Sequence, residues 1–352
     1  MLTLSATPAS ACTGITLKSV KNDYFAARTM EWGTFYFDSK LAVVPVGYTN
    51  RSSLGNGIAG LSWTVKHGFV GIAVADTSII TEGINERGLS IGVFYFPGYA
   101  SYKEYSKSSS GNGLNVADVC SYLLSTCGTV AEVKKHIGSL NIVGVPMKEI
   151  GGVPPVHWRV YDNTGSCIVI EIVNKGQVVV YDAPLGVITN SPGYEWQLTN
   201  LRNYVNLRPA PASAVTVEGV LELAPFGVGS GFLGLPGDFT PPSRFVRAVA
   251  FTATVPKLPD AYSVMSQCFV ILDNFNIPIG SVFPPNHAPN LPSSTQWTSV
   301  SDVTNLIFYY TTNYNRQIRQ VNLKDIDFRK TPMRVIPLDK VLRQNIEVVS
   351  IK

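Results

Sequence analysis

The chain has 352 residues, of which 45% are apolar and 15% are charged, and its formal net charge is +4. Because an average protein has about 25% charged residues, this composition excludes an intrinsically disordered chain. No segment approaches the ~20 consecutive apolar residues of a membrane-spanning helix, and no lysine and arginine run exceeds two residues. Neither a membrane span nor a nucleic-acid-binding surface is therefore predicted.

The first eleven residues resemble the end of a secretory signal. Ala9-Ser10-Ala11 has the small-residue pattern at which such signals are cleaved. We expect residues 1–11 to be a signal or propeptide remnant, and the protein to be secreted or periplasmic. Cleavage by a signal peptidase and autocatalytic cleavage both fit this pattern. The alternative is an ordinary flexible N-terminus.

Short runs of β-branched and aromatic residues, many of them separated by turn residues, predict β-strands along much of the chain. Turns at Lys21-Asn22-Asp23 and Asn174-Lys175-Gly176 predict that the strands on either side form hairpins. The predicted strands cover residues 15–20, 24–28, 41–46, 70–74, 89–96, 158–161, 167–173, 178–181 and 305–312.

Apolar residues at helical spacing predict five helices, and Thr129 is a candidate N-terminal cap for the second of them. Strands interrupted by helices favour an α+β fold in which helices cover the sheets. We predict one domain over residues 12–352, with proline-rich surface loops at 208–214 and 283–292. The predicted helices cover residues 116–126, 130–137, 194–206, 243–252 and 261–274.

Two short motifs match enzyme signatures in the wrong context. Gly88-Leu89-Ser90-Ile91-Gly92 matches the G-x-S-x-G elbow, which joins a strand to a following helix. Here a turn precedes the motif and a strand-like run follows it, so a serine hydrolase that uses Ser90 is disfavoured. Residues 229–234 match G-x-G-x-x-G, but Pro236-Gly237 argues against the helix that a dinucleotide site needs.

The cysteines and histidines predict neither a disulfide framework nor a metal site. Five cysteines are few for a chain of this length, and their number is odd. The four histidines are scattered without candidate ligands beside them. We expect no metal and no cofactor.

Cys12 carries the candidate chemistry because it directly follows the candidate cleavage point. Cleavage would leave an α-amine and a thiol on one residue. Their ordinary pKa values are about 7.7–8.0 and about 8.5, so the amine could take the thiol proton at neutral pH. A nucleophile activated by its own α-amine needs no histidine.

The residues around Cys12 and several blocks farther along the chain form a dispersed pattern. Cys12-Thr13-Gly14 begins a strand, and Arg28, in Ala27-Arg28-Thr29-Met30-Glu31-Trp32, lies sixteen residues after the cysteine. The pattern resembles the choloylglycine hydrolase family, which includes bile salt hydrolases and penicillin V acylases. The other matching blocks are residues 82–89, 157–158, 162–171, 189–192, 196, 200–201, 234–245, 295–298 and 308–314.

The resemblance implies an αββα N-terminal-nucleophile hydrolase, in which helices cover a sandwich of two antiparallel sheets. It implies that Cys12 cleaves a linear C–N amide of a small molecule through a thioester. Arg28 would lie beside the cysteine, where a guanidinium favours the thiolate. The side-chain amide of Asn190 would donate to the oxyanion, and Arg244 would be a second active-site arginine.

Two positions bear on the details that the resemblance implies. The family usually has an aspartate nineteen residues after the cysteine, where it holds the α-amine. Glu31 keeps that charge and adds one methylene. Bile salt hydrolases tend to have asparagine at the position of Tyr95, and penicillin V acylases tyrosine. The backbone N–H of Tyr95 would be the second oxyanion donor. The tyrosine at this position slightly favours the substrate preference of a penicillin V acylase.

The acyl pocket is expected to be apolar, and Met30, Trp32, Phe35 and Trp63 are candidates for its lining, with ordinary core packing as the alternative. The substrate would be a conjugated bile salt or penicillin V. The alternatives are an N-acyl homoserine lactone, or a binding protein that keeps the fold without the chemistry. Residues 208–231 resemble the family's assembly loop, which suggests a homotetramer.

Overall fold

The structure is a computed structural model that describes residues 10–33, 35–74, 79–148, 150–283 and 293–351. Residues 1–9 of the expected leader and residues 284–292 of the second predicted loop lie outside this part. The α-helices are α1 (Val119–Thr126), α2 (Val130–Ile137), α3 (Tyr194–Asn200), α4 (Pro241–Ala253) and α5 (Ala261–Asp273). None of these helices is long and apolar enough to cross a bilayer.

The described chain also forms twenty β-strands. They are β1 (Ser10–Lys18), β2 (Tyr24–Trp32), β3 (Lys40–Val44), β4 (Thr49–Ser53), β5 (Ala59–Thr64), β6 (Phe69–Val74), β7 (Ile79–Asn85), β8 (Leu89–Tyr95), β9 (Lys103–Glu104), β10 (Gly113–Asn115), β11 (Asn141–Gly144), β12 (Val156–Asp162), β13 (Cys167–Val173), β14 (Gln177–Asp182), β15 (Val215–Val217), β16 (Leu221–Leu223), β17 (Ser294–Asp302), β18 (Ile307–Thr312), β19 (Arg319–Asn322) and β20 (Arg334–Pro337).

Two antiparallel sheets form the centre of the fold. The smaller has the strand order β1-β2-β17-β18-β19, and the larger has the order β14-β13-β12-β8-β7-β6-β3-β20. In the smaller sheet, β2 pairs on one side with β1 and on the other with β17. Strand β2 is therefore an inner strand and β1 an edge strand, and the candidate site forms on buried residues of both.

The central strands of the larger sheet are buried on both faces, and β6, β8 and β13 are largely apolar. In β3, Leu41 and Val43 pack into the core shared with β1 and β2, whereas Ala42 and Val44 pack into the core shared with α1 and α2. Successive side chains of a strand point to opposite faces, so one apolar run serves both layers. On the far side, α4 and α5 cover the smaller sheet. The predicted αββα sandwich is confirmed.

The predicted helices are present with altered ends. Residues 130–137 coincide with α2, and the Thr129 side chain caps this helix by accepting from the Glu132 N–H. The first predicted helix begins as a 3₁₀ turn over Val116–Asp118 before α1. The third predicted helix is α-helical only to Asn200, as α3, and is followed by a 3₁₀ turn over Leu201–Tyr204. The fourth begins two residues early, at Pro241, because proline is favoured in a first helical turn.

Both predicted hairpins form, β1–β2 and β13–β14. Their turns contain Asn22 with φ 63° and Gly176 with φ 104°, conformations that asparagine and glycine adopt more readily than other residues. The two enzyme-like motifs are structural. Ser90 lies inside β8 and is 1% exposed, and residues 229–234 form only a 3₁₀ turn, Ser230–Phe232.

Candidate active site

The structure brings together six side chains that are up to 232 positions apart in the sequence. They converge at one end of the space between the two sheets, and each is at most 7% exposed. The residues are Cys12 on β1, Arg28 and Glu31 on β2, Tyr95 at the end of β8, Asn190 before α3 and Arg244 in the first turn of α4.

Arg28 contacts the candidate nucleophile directly. Its Nη2 lies 2.9 Å from the Cys12 Sγ, because the β1–β2 register places Gly14 opposite Arg28 and Cys12 opposite Met30. Burial raises the pKa of the Cys12 thiol, and the charges of Arg28 and Arg244 oppose this rise. A hydrogen bond from the Tyr95 backbone also lowers that pKa. The site therefore supplies cationic and N–H groups that stabilise a thiolate.

The Asn190 side chain has a fixed orientation. Its Oδ1 accepts from the Cys12 backbone N–H at 3.0 Å and from the Arg244 Nη2 at 2.5 Å, and its Nδ2 donates to the Tyr95 carbonyl at 2.7 Å. Because both neighbours of Oδ1 are donors, the amide cannot be reversed without losing two hydrogen bonds. One Nδ2 hydrogen remains available for a substrate oxygen.

Arg244 connects the nucleophile strand to Asn190. Its Nη1 donates to the Cys12 carbonyl at 2.5 Å and to the Thr13 Oγ1 at 2.9 Å, while Nη2 donates to Asn190. Burial lowers the pKa of Arg244 to about 10, and the nearby Glu31 opposes this fall. The guanidinium therefore stays charged at neutral pH.

Glu31 is a buried carboxyl whose two oxygens have different surroundings. Burial raises its pKa to about 7, and the charge of Arg244 is the strongest opposing influence. Oε1 accepts from the Thr295 hydroxyl at 3.1 Å, whereas Oε2 has no hydrogen-bond partner of normal geometry in the described part of the chain. Glu31 lies opposite Ala11 in the β1–β2 register, next to the expected cleavage point.

An apolar cavity of about 80 Å³ opens beside Cys12, and Met30, Trp32 and Tyr95 are among the residues that line it. Phe35 does not line it but packs on Trp32, with ring centroids 5.9 Å apart. Trp63 is elsewhere: it packs against Tyr122 and lines a different cavity. The structure corrects its placement, since β5 forms a separate hairpin with β4 outside the two central sheets.

Glu82 and Arg159, for which the sequence predicted no role, form a second charged layer behind Arg28. Glu82 on β7 is fully buried, with Oε2 3.9 Å from the Arg28 Nη1. The Arg159 Nη1 donates to the carbonyls of Ile15 and Ala27, both at 2.9 Å. The Phe94 ring lies 4.5 Å from the Arg28 guanidinium and 5.8 Å from that of Arg159. A charged residue inside an apolar strand was the signal that could have revealed both.

We expect Glu82→Ala to destabilise the protein by about 3–5 kcal/mol, because it leaves two guanidinium groups buried without their carboxylate. The measurement is the free energy of unfolding from urea titration. Glu104→Ala, in the exposed strand β9, is the matched control and should leave that free energy unchanged. If both variants unfold at the same urea concentration, Glu82 is not the counter-ion of this layer.

Among the described residues, no three His, Cys, Asp or Glu side chains are grouped so that they could hold a metal ion. The functional groups of the site are a thiol, two guanidinium groups, a carboxyl and an amide. This set suits nucleophilic attack on an acyl carbon, with donors placed for the resulting oxyanion.

Comparison with known proteins places this site in a family. The sequence profile of the linear amide C–N hydrolases, choloylglycine hydrolase family, matches residues 12–335. The bile salt hydrolase/transferase of Clostridium perfringens (strain 13 / Type A) is 30% identical over 342 residues, which cover 95% of this chain and 99% of that protein. The penicillin V acylase of Pectobacterium atrosepticum is 27% identical over 348 residues, covering 93% of this chain and 85% of that protein.

Solved structures agree with the sequence comparison. The crystal structure of a mutant conjugated bile acid hydrolase from Clostridium perfringens superimposes with a TM-score of 0.84 and 27% identity, covering 96% of this chain and all of that one. The profile match begins at Cys12 and ends within β20. The chain belongs to the choloylglycine hydrolase family of linear amide C–N hydrolases.

Proposed function

We propose that Cys12, once it is the N-terminal residue, is the nucleophile that cleaves a linear amide of a small molecule. The observation that carries the proposal is the pair of contacts on this one residue: Arg28 on its Sγ at 2.9 Å and Asn190 on its nitrogen at 3.0 Å. The thiol and the future α-amine are thus both held by polar groups. An α-amine so placed can accept the thiol proton.

The reaction then needs only groups already in the site. Sγ attacks the amide carbon while the α-amine takes its proton, and the carbonyl oxygen becomes an oxyanion that Asn190 Nδ2 and the Tyr95 backbone N–H stabilise. The C–N bond breaks as the α-ammonium protonates the leaving amine. Water, deprotonated by the same α-amine, hydrolyses the thioester and releases the carboxylic acid. Free Oε2 of Glu31 would hold the ammonium.

For the substrate, we infer an acyl group with a flat, apolar end. The Trp32 ring meets the Tyr95 ring edge-on, with centroids 5.3 Å apart, and lies tilted against the Phe37 ring, with centroids 4.9 Å apart. These rings narrow the cavity beside Cys12. The acyl group of penicillin V fits this description. Conjugated bile salts are the second candidate, because the relative with 30% identity over nearly its whole length is named a bile salt hydrolase/transferase.

A hydrolysis panel tests the proposal. Mature protein beginning at Cys12 is incubated with penicillin V, glycine- and taurine-conjugated bile salts and N-acyl homoserine lactones, and released amine is measured. We expect turnover of penicillin V to exceed that of the other substrates. Faster cleavage of bile salts would overturn the acylase-like preference, and no cleavage of any of them would favour a binding protein that lacks the chemistry.

We expect Asn190→Ala to lower kcat by about 10²–10³, the loss seen when one oxyanion donor is removed from other acyl-transfer sites, with a smaller change in KM. Steady-state kinetics on the best panel substrate measure both constants. Asn200→Ala, in the last turn of α3, is the control and should leave them unchanged. A rise in KM alone would instead assign Asn190 to substrate binding.

We also propose that copies of this chain assemble through the β15–β16 hairpin. The hairpin and the residues that directly follow it carry exposed apolar side chains, among them Val220 between the two strands at 86% exposure and Phe226, three residues after β16, at 103%. Contiguous exposed apolar residues of this kind are typical of interfaces. Light scattering should give the mass of a tetramer, and Phe226→Asp should lower it. A monomeric mass for the unaltered protein would contradict the assembly.

We further propose that residues 1–11 are the remnant of an export signal, that the single mature domain covers residues 12–352, and that the protein acts outside the cytoplasm. The small residues at Ala9-Ser10-Ala11 support cleavage before Cys12. Cell fractionation with intact-mass measurement tests it. A protein recovered from the cytoplasm with Met1 still attached would contradict both the cleavage and the location.

A further inference from the structure

The short segment that carries Asn190 is fixed at each of its residues from 189 to 191. The Thr189 hydroxyl donates to the Pro241 carbonyl at 3.1 Å, and the Ser191 hydroxyl donates to the Pro97 carbonyl at 2.6 Å. One further contact involves the backbone immediately before Asn190: the Nε2 of His157 lies 3.1 Å from the Thr189 carbonyl oxygen. That oxygen belongs to the peptide unit that leads into Asn190.

His157 is a buried imidazole in β12 with a fixed ring plane. It is 1% exposed, and it stacks on the Phe96 ring with centroids 4.2 Å apart and planes 3° from parallel. The Phe94 ring meets it edge-on at 6.2 Å. With the ring held on two sides, Nε2 can point only along one direction, toward Thr189.

The contact with the Thr189 carbonyl defines the role of Nε2. A carbonyl oxygen only accepts, so Nε2 must carry a hydrogen and donate. The other nitrogen, Nδ1, faces Glu171 Oε1 at 3.5 Å. The same Oε1 accepts from the Tyr194 N–H, at the start of α3, at 2.7 Å. Glu171 therefore faces both the histidine and the helix that follows Asn190.

We infer that His157 is a positioning residue for the oxyanion donor: by donating to the Thr189 carbonyl it fixes the peptide unit that aims Asn190 at Cys12. This inference rests on the proposed function of Asn190. His157 is not the base of the reaction, since its Nε2 is bonded to Thr189 and its Nδ1 faces Glu171. It acts through the backbone, and Asn190 acts on the substrate.

The test separates acyl transfer from simple reactivity of the thiol. Hydrolysis of an activated ester forms an oxyanion at the Cys12 adduct, whereas alkylation of Cys12 by iodoacetamide forms none. Loss of an aligned Asn190 should slow only the first reaction. Because both reagents react with any competent Cys12 thiol, they report on the inference even if the protein cleaves none of the proposed amides.

Two substitutions of His157 are compared in mature protein. His157→Gln places an amide N–H at nearly the reach of Nε2, and His157→Asn is one methylene too short for the Thr189 carbonyl. We expect His157→Asn to lower kcat for ester hydrolysis about tenfold to a hundredfold, less than loss of the donor itself, with KM within about twofold. His157→Gln should recover most of the rate, and alkylation should stay within about twofold in both.

His136→Gln, on the exposed face of α2, is the matched control and should change neither reaction. The inference is overturned if His157→Asn hydrolyses the ester at the unaltered rate. It is also overturned if ester hydrolysis and alkylation fall in parallel, or if the glutamine and asparagine variants lose the same amount, since either result indicates a role in packing alone. Absence of amide turnover in the unaltered protein would reject the proposed function and leave this comparison intact.

Discussion

Replacing Cys12 by alanine is expected to abolish amide hydrolysis and leave the fold intact. The side chain is small, and the Arg28 guanidinium that contacts its Sγ keeps hydrogen bonds to the carbonyls of Thr81 and Val93. The loss should be complete, because removing the nucleophile of a covalent mechanism leaves only the donors around it.

The other four cysteines cannot replace it. Burial raises the pKa of each of their thiols, to about 12 for Cys167 and well above the ordinary value for Cys120. None of the four has a guanidinium on its sulfur among the described contacts, whereas Cys12 has Arg28 at 2.9 Å. A buried thiol without such a partner is a poor nucleophile.

The measurement is turnover together with a stoichiometric thiol label located by mass spectrometry. The label should map to Cys12 in the unaltered mature protein and be lost in Cys12→Ala. Cys167→Ala, which removes a thiol on β13, is the matched control and should keep full turnover. Turnover that survives in Cys12→Ala would require another nucleophile and would reject the mechanism.

The sequence predicted the layers of the fold and the six side chains that converge at the candidate site. Apolar strands buried on both faces produce a strong local signal, as β6 and β13 do. The hairpin turn predicts that β1 pairs with β2, but the roles of Arg28, Glu31 and Tyr95 came from the resemblance to the family. Cys12 alone has a local signal, its place directly after Ala9-Ser10-Ala11. Asn190 and Arg244 have no such local signal, and only the family-like blocks identified them.

What the sequence did not predict depends on contacts between distant segments. Strand β17 was missed because it reads Ser-Thr-Gln-Trp-Thr-Ser-Val-Ser-Asp, a polar run that is nevertheless buried between β2 and β18. Its register with β2 places Thr295 at Glu31. The pairing of Glu82 with Arg28, and the separation of Trp63 from the cavity, likewise follow from how strands are ordered in a sheet, which periodicity does not encode.

The uncut chain is expected to fold and to be inactive. In it the Cys12 nitrogen is a peptide amide that donates to the Asn190 Oδ1; it has no basic lone pair, and burial raises the pKa of the thiol beside it. Ser10 and Ala11 continue β1 and pair with Trp32 and Glu31. The leader thus extends along the carboxyl that would hold the α-ammonium, and the proposed base does not exist until the Ala11–Cys12 bond is cut.

A positioned base typically raises a reaction rate 10²–10⁴-fold. We therefore expect turnover by the processed chain to exceed turnover by the uncut chain by about this factor. A chain beginning at Cys12 is compared with one beginning at Met1 that carries Ala9→Leu, which removes the small residue that a signal peptidase requires. Intact mass establishes whether each is cut, and turnover is measured on the same samples. If Ala9→Leu is still cut, and a further Cys12→Ala substitution stops the cut, the cleavage is autocatalytic.

The pH dependence provides an independent check on the same base. Turnover by the mature chain should rise with pH through about 7.7–8.0, the range in which an α-amine loses its proton and becomes able to accept one from the thiol. Acetylation of that amine should abolish turnover while Cys12 remains present by mass. If the uncut chain, verified by mass, hydrolyses substrate as fast as the processed one, the α-amine is not the base. The proton from Sγ would then go to Glu31, a buried carboxyl near Cys12 whose pKa burial raises to about 7.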